Sequence, residues 1–397
     1  MSHDKLRGYA LLISKKLQRT AIVAAAFLAI FPIAAARAQT DTSFESRWTA
    51  LIDAAKKEGR LAASVSTVPE YQSIFDAFTA KFGIRVQAVG GSASARVSRI
   101  LAERVAGRYT VDIAMLSAAS STRRLEPAAA LTDLPALIIH PEVTDTSKWY
   151  LNRHWYMDSA DTKTIFTFNA RALNTWVFWY NSEKLSVADI ASIKTPADFL
   201  NPRWYGKMAD QSWADPGRLG DMMEAYLGSD VGPEWVRKYL TGMGVSFTSD
   251  KRLEEAWIVR GRNPLKWGEG NIGNNLRDLQ AKGLPITEMR LPRETGILEA
   301  RGSCCVTIFR NAPNPHAAQL FLNWFLSREG QILLHEVDPP RAYMSLREDI
   351  PPGNTQEETR RVAGMVYHFR DFDPQYRESE ESIREFILKA YQDGQSR

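Results

Sequence analysis

The sequence predicts an α/β protein of two lobes, on three observations. Short buried-strand patterns alternate with helical patterns of about 10 to 15 residues along the first part of the chain. That alternation restarts beyond Tyr180. The length of 397 residues is more than one core comfortably supports.

Trp48, Leu51, Ile52 and Ala55 recur at helical spacing, and Gly59 stops that helix. Leu61 to Val65 reads as a buried strand. Pro69 then opens a helix at a position proline tolerates. Tyr71, Ile74, Phe75, Phe78 and Phe82 line one of its faces, and Gly83 ends it. Ile84 to Val89 is the next strand. Gly90 to Ser94 leads into a helix with the stripe Val97, Ile100, Leu101 and Val105, closed by Gly107. Val111 to Leu116 is a third strand, followed by the small residues 117–121.

Residues 135–165, rich in Pro, Asp, His and aromatics, read as a loop-rich excursion toward the second lobe. Residues 165–168 and 175–180 read as strands. Thr195-Pro196-Ala197-Asp198 is a capped helix start. Leu219, Met222, Met223, Tyr226 and Leu227 mark another helix. Asn263 to Trp267 is a strand, and Gly268 to Asn271 leads into a helix ending near Gly283. Pro285 to Leu291 is a strand leading back to the first lobe. Residues 313–330 form a strong late helix, and 382–391 a last helix over the first lobe. The expected organisation is 1–38 signal peptide, 39–174 first segment of lobe 1, 175–285 lobe 2, and 286–397 second segment of lobe 1 with a C-terminal helical extension.

Residues 1–38 read as a cleaved secretory signal. Lys5, Arg7, Lys15, Lys16 and Arg19 precede an apolar run from Ala21 to Ala36, and Ala36-Arg37-Ala38 supplies the small-x-small site. A retained anchor is the alternative, although the run is shorter than the about 20 residues a span needs. Periplasmic work follows from the signal. The whole chain carries 50 basic and 46 acidic residues, net +4. Six basic residues and one acidic residue fall within 1–38, which leaves the mature part at net −1. Nucleic acid is therefore excluded as an expected partner. Cys304 and Cys305 are neighbours, so no disulfide scaffold is expected; they read as core residues of a buried strand, with a redox or metal role as the alternative.

In a largely parallel sheet, ligands bind beyond the carboxyl ends of the strands. Those ends carry Ser66-Thr67, Ser92 with Ser94, and Ser117, a hydroxyl-rich wall. Ser92 or Ser94 caps a helix whose first N–H groups suit a phosphate or carboxylate, and Arg96 lies in its first turn. An ordinary helix cap and a solvated surface charge are the competing readings.

Several segments then resemble the type 2 periplasmic solute-binding proteins of ABC importers, in the branch with ferric-iron, phosphonate and sugar-phosphate binders. They are Ala54-Ala55-Lys56-Lys57-Glu58-Gly59, Phe78-Thr79-Ala80-Lys81-Phe82-Gly83, Val177-Phe178-Trp179-Tyr180-Asn181, Asp198-Phe199-Leu200-Asn201-Pro202-Arg203-Trp204-Tyr205-Gly206-Lys207, and Ala312-Pro313-Asn314-Pro315-His316-Ala317-Ala318. Their order and spacing carry the resemblance, from about residue 47 to 350. It implies a two-lobe type 2 fold, each lobe a mixed sheet flanked by helices, with a ligand cleft and a hinge between. It implies capture of a small solute for an ABC permease, by a monomer without cofactor or catalysis. Under the family layout Asp215 and Arg218 open a second-lobe helix facing the first lobe. A salt bridge of Arg218 with Asp215 or Asp221 competes with that role.

Trp213 and Trp267 cover an organic ligand or pack in the core. Glu269 with Asn271 lies in the loop after Trp267, where Glu269 meets an amine or faces solvent. Ferric members place tyrosines in that loop, and this chain has none there, so an anionic phosphonate, phosphate ester or carboxylate is expected ahead of iron. The histidines show no metal-ligand spacing, and no nucleophile-elbow, zinc-protease or phosphate-loop motif occurs. A periplasmic enzyme using Cys304 or Cys305, or a sensor subunit, are the other classes of reading.

Overall fold

The computed structural model describes residues 44–117, 121–157, 162–213, 216–268, 273–300, 304–336, 343–369 and 374–396. In chain order the strands are β1 (Arg60–Ser64), β2 (Arg85–Val89), β3 (Ile113–Leu116), β4 (Phe166–Thr167), β5 (Asn169–Asn181), β6 (Ala209–Gln211), β7 (Ser246–Thr248), β8 (Leu265–Trp267), β9 (Ile286–Glu299), β10 (Cys305–Ile308), β11 (Met344–Ser345) and β12 (Tyr367–Phe369). The helices are α1 (44–58), α2 (Val68–Phe82), α3 (Ala93–Val105), α4 (Pro141–Thr144), α5 (Val187–Ala191), α6 (Pro216–Leu227), α7 (Gly232–Gly242), α8 (Lys251–Val259), α9 (Gly273–Ala281), α10 (Pro315–Leu326), α11 (Arg328–His335) and α12 (Pro374–Gln395).

The first core surrounds the sheet β2-β1-β3-β10-β4. β1 pairs parallel with β2 and β3, as the strand–helix alternation requires. β10 runs antiparallel to both β3 and β4. Gly83 ends α2 at φ 72°, a left-handed position that glycine takes without steric cost, and its N–H bonds Thr79 O. Cys304 and Cys305 are wholly buried in this core. Residues 135–157 belong here too: Ile138, Val143, Trp149 and Trp155 are buried in the first core, not directed toward the second. Their aromatic rings needed burial, and the nearer core supplied it. Val105, expected in the stripe of α3, is 90 % exposed because it sits on the helix's last turn, beyond the packed face.

The second core gathers Phe178, Phe199, Trp204, Trp235, Tyr239 and Trp267 with the face of α7. The Thr195-Pro196 start yields a short 3-10 turn, Pro196–Leu200, closed by a capping box with Asp198. β5 and β9 run through both cores, antiparallel from Arg171↔Glu299 to Asn181↔Ile286. Ala170 and Ala172 lie in the first core, Trp176 and Phe178 in the second. The register slips between Leu173 and Thr175, and Thr175 faces Pro292. Proline has no N–H to give the ladder, so the slip falls where the strands leave one core for the other.

The late helix is two helices. Ser327 is extended at φ −66°, ψ 168°, between α10 and α11. A Cβ at Gly330 would lie 2.5 Å from Trp324 O, so the glycine permits this tight corner. The last helix departs more. α12 packs on α6 and α7, with Ile383, Ile387 and Ala390 in the second core and not over the first.

Candidate functional site

Two cavities border the strands that join the cores. The first, about 520 Å³, lies at the carboxyl ends of β1 and β3 and the start of α3. Ser66, Ser92, Arg96, Ser117, Asn169 and Tyr343 line it. Ser92 is the N-cap of α3 and accepts from Ala95 N at 3.3 Å. Gly91 N donates to Ser66 O at 2.9 Å, and Gly91 O accepts from Arg96 Nε at 2.9 Å. This short backbone link holds the β1 loop against the start of α3.

Arg96 is only 4 % exposed. Its Nη1 donates to Ser64 Oγ at 3.2 Å and to Met115 O at 3.1 Å. All of these partners are neutral, and among the described residues no carboxylate bonds it. Burial lowers its pKa, but a guanidinium stays charged. The result is a buried cation at a cavity wall with no carboxylate bonded to it among the described residues, the condition an oxyanion relieves. Asn169 on the same cavity is also buried, and its Oδ1 has no hydrogen-bond partner among the described residues. The amide has a donor end as well, and turning it would present the N–H₂ to a bound oxyanion. Glu70 is the one carboxylate lining the cavity; it accepts from Ser66 Oγ at 2.9 Å and Thr67 Oγ1 at 3.0 Å.

The second cavity, about 530 Å³, lies where β5 and β9 cross between the cores. Arg171 pairs with Glu299 at 2.6 Å, and Arg293 with Glu224 at 3.1 Å. The Arg293 guanidinium stacks on Trp176 at 3.5 Å. Burial opposes the charge on Arg171, but the Glu299 carboxylate beside it outweighs this and holds its pKa above the usual value. Asn169 and Arg171 are two apart on β5, hence on one face and about 7 Å from each other, so the two cavities adjoin.

Ser66, Ser92, Arg96 and Ser117 come together on the first cavity. Thr67 and Ser94 do not line it; both are exposed, and Thr67 is engaged by Glu70. Trp267 lines the second cavity, yet it is buried with its ring 4.3 Å from Trp235 and 4.5 Å from Phe178. Trp213 is buried in the second core and lines neither cavity. Arg218 falls in the first turn of α6, while Asp215, Glu269 and Asn271 lie outside the described residues. Asn169, Tyr343 and the Arg171–Glu299 and Arg293–Glu224 pairs were missed. Asn169, Arg171, Arg293 and Glu299 carry one sequence signal, a polar residue within a strand; Glu224 lies in α6 and Tyr343 just before β11, without that signal. Among the described residues no cluster of three or more His, Cys, Asp or Glu could hold a metal, and no helix is long and apolar enough to cross a membrane.

The description of bacterial extracellular solute-binding proteins matches residues 73–357. No curated protein sequence matches the chain. Solved structures similar to it include the FutA (IdiA) protein of Trichodesmium with iron and citrate, at 17% identity over 84% of this chain and 99% of that one, TM-score 0.56. An ABC transporter structure from Clostridium perfringens ATCC 13124 gives 13% identity, 84% and 99% coverage and TM-score 0.56. Apo FutA2 from Synechocystis PCC6803 gives 14%, 84% and 98%, and 0.53. At such identities the likeness is one of fold.

Proposed function

This chain belongs to the bacterial extracellular solute-binding proteins, and we propose that it captures a small anionic solute in the periplasm and delivers it to an ABC permease. The solute class is a carboxylate, phosphonate or phosphate ester. One observation carries this reading: the buried Arg96 at the wall of the first cavity, bonded among the described residues by neutral groups alone. Ser66, Ser92 and Ser117 add hydroxyls, the first turn of α3 adds backbone N–H groups, and Asn169 adds an amide. The proposed role is binding; burial of Cys304 and Cys305 disfavours the reading in which one of them is a nucleophile. Iron is not the expected cargo: Glu70, Tyr71 and Tyr343 line the first cavity, but the buried Arg96 guanidinium at the same wall repels a bare cation and attracts an anion.

The test is a thermal-shift screen of residues 39–397 against phosphonates, sugar phosphates, inorganic phosphate, carboxylates, polyamines and ferric iron. A ligand at about 100 times its Kd adds about 2.7 kcal/mol of stability. Asn169→Asp places a negative charge in the cavity without removing the Arg96 contacts. It should abolish the shift given by an anion and leave the unliganded melting temperature within a few degrees. A shift confined to iron or polyamine, or an anion shift unchanged in Asn169→Asp, would overturn the assignment.

A further inference from the structure

The family match ends at residue 357, but the described chain runs on to 396 and reaches both cores. β12 joins β9 in parallel, with Tyr367 beside Gly296 and Phe369 beside Leu298. Gly296 is required there, since a Cβ would lie 2.4 Å from the Tyr367 ring. Phe369 stacks on Trp155 at 4.2 Å, which fixes this end to the first core. Tyr367 Oη donates to Asn174 Oδ1 at 2.7 Å, and Asn174 Nδ2 donates to Arg360 O at 2.7 Å. Asn174 occupies the register slip of β5, the point where that strand passes between the cores.

Only residues 370–373 separate β12 from α12. α12 buries Ile383, Ile387 and Ala390 in the second core. Phe386 lies 5.2 Å from Tyr226 of α6, and Tyr391 Oη is 3.1 Å from Ser212 Oγ. α6 is the helix whose first turn carries Arg218.

We infer that β12 and α12 form a strap, a third connection between the lobes, that restrains their relative motion and braces α6. Two adjacent antiparallel strands, β5 and β9, leave the lobes free to bend about their crossing. A third attachment fixed in both cores removes much of that freedom. The grip on Asn174 places the strap at the bending point itself. The strap works whatever solute binds.

The experiment replaces residues 370–373 with a protease recognition sequence and cuts the folded mature protein. Hydrogen exchange is then followed at residues 172–176 and 292–296, with the radius of gyration measured by small-angle X-ray scattering. Cutting should speed exchange at both crossings several-fold and enlarge the radius of gyration, while α7 amides keep their rates. Unchanged exchange at the crossings would overturn the strap. Equal acceleration throughout α7 would also overturn it, because α12 would then be only a piece of second-lobe core. So would loss of α12 from the cut protein on gel filtration.

Discussion

Buried charge has two different meanings in this molecule. Lys266 is wholly buried between Asp210 at 3.0 Å and Glu254 at 2.6 Å, and Tyr239 Oη bonds Asp210 at 3.0 Å. Each ion there has an opposite partner, so the group is structural. Among the described residues Arg96 is bonded by no carboxylate, so it is read as binding. The difference predicts opposite mutational behaviour. Lys266→Met strands two buried carboxylates, Asp210 and Glu254, and should cost about 3–5 kcal/mol. Urea unfolding would measure it, and a loss under 1 kcal/mol would show that water reaches the site. The structural role of Lys266 is not visible in the local sequence. Lys266 sits in Leu265-Lys266-Trp267, where alternation would point a lysine outward.

At the scale of elements, close backbone approach sets where helices meet. In α12 a Cβ on Gly394 would lie 2.1 Å from Leu240 O of α7. Replacing glycine by alanine inside a helix normally gains up to about 1 kcal/mol. Here the clash is with a carbonyl fixed in a helix, and overpacking costs about 1–3 kcal/mol. The steric cost should win, and Gly394→Ala should lower the midpoint of chemical unfolding. A raised midpoint would mean that α12 stands further from α7. Pro292 acts at the same scale: it breaks the β5–β9 ladder once, so one pair of long strands serves two cores.

Over the whole molecule, two histidines give stability a pH dependence near neutrality. Burial lowers the pKa of His140, which lies edge-on to Trp48 at 5.2 Å, and of His154, whose Nε2 meets Val143 O at 2.6 Å. Both are therefore neutral in the fold at pH values where the unfolded chain, with an ordinary pKa of about 6.5, already binds protons. Stability is full above that value and falls as pH drops through it. Each group contributes a slope of at most about 1.4 kcal/mol per pH unit. The lowered carboxylates Asp198, Asp349 and Glu329 lose their contribution only in stronger acid. Chemical unfolding at pH 8 and pH 5.5 should show the drop, and the double variant His140→Gln, His154→Gln should flatten it. An unflattened profile would assign the dependence to other groups.

Periodicity, glycine stops and proline starts by themselves determined the first lobe's order of strands and helices, because those signals are local and repeat within a few residues. They also put Ser66, Ser92, Arg96 and Ser117 together, since strand ends and helix starts converge by rule in a parallel sheet. Only the tertiary structure decided that Arg96 is buried among neutral partners, that Asn169 and Tyr343 share its cavity, and that Trp213 is core. Those facts depend on which distant segments arrive beside them. The destination of α12 was hidden for the same reason. An amphipathic helix specifies that it must bury a face, not which lobe will cover it.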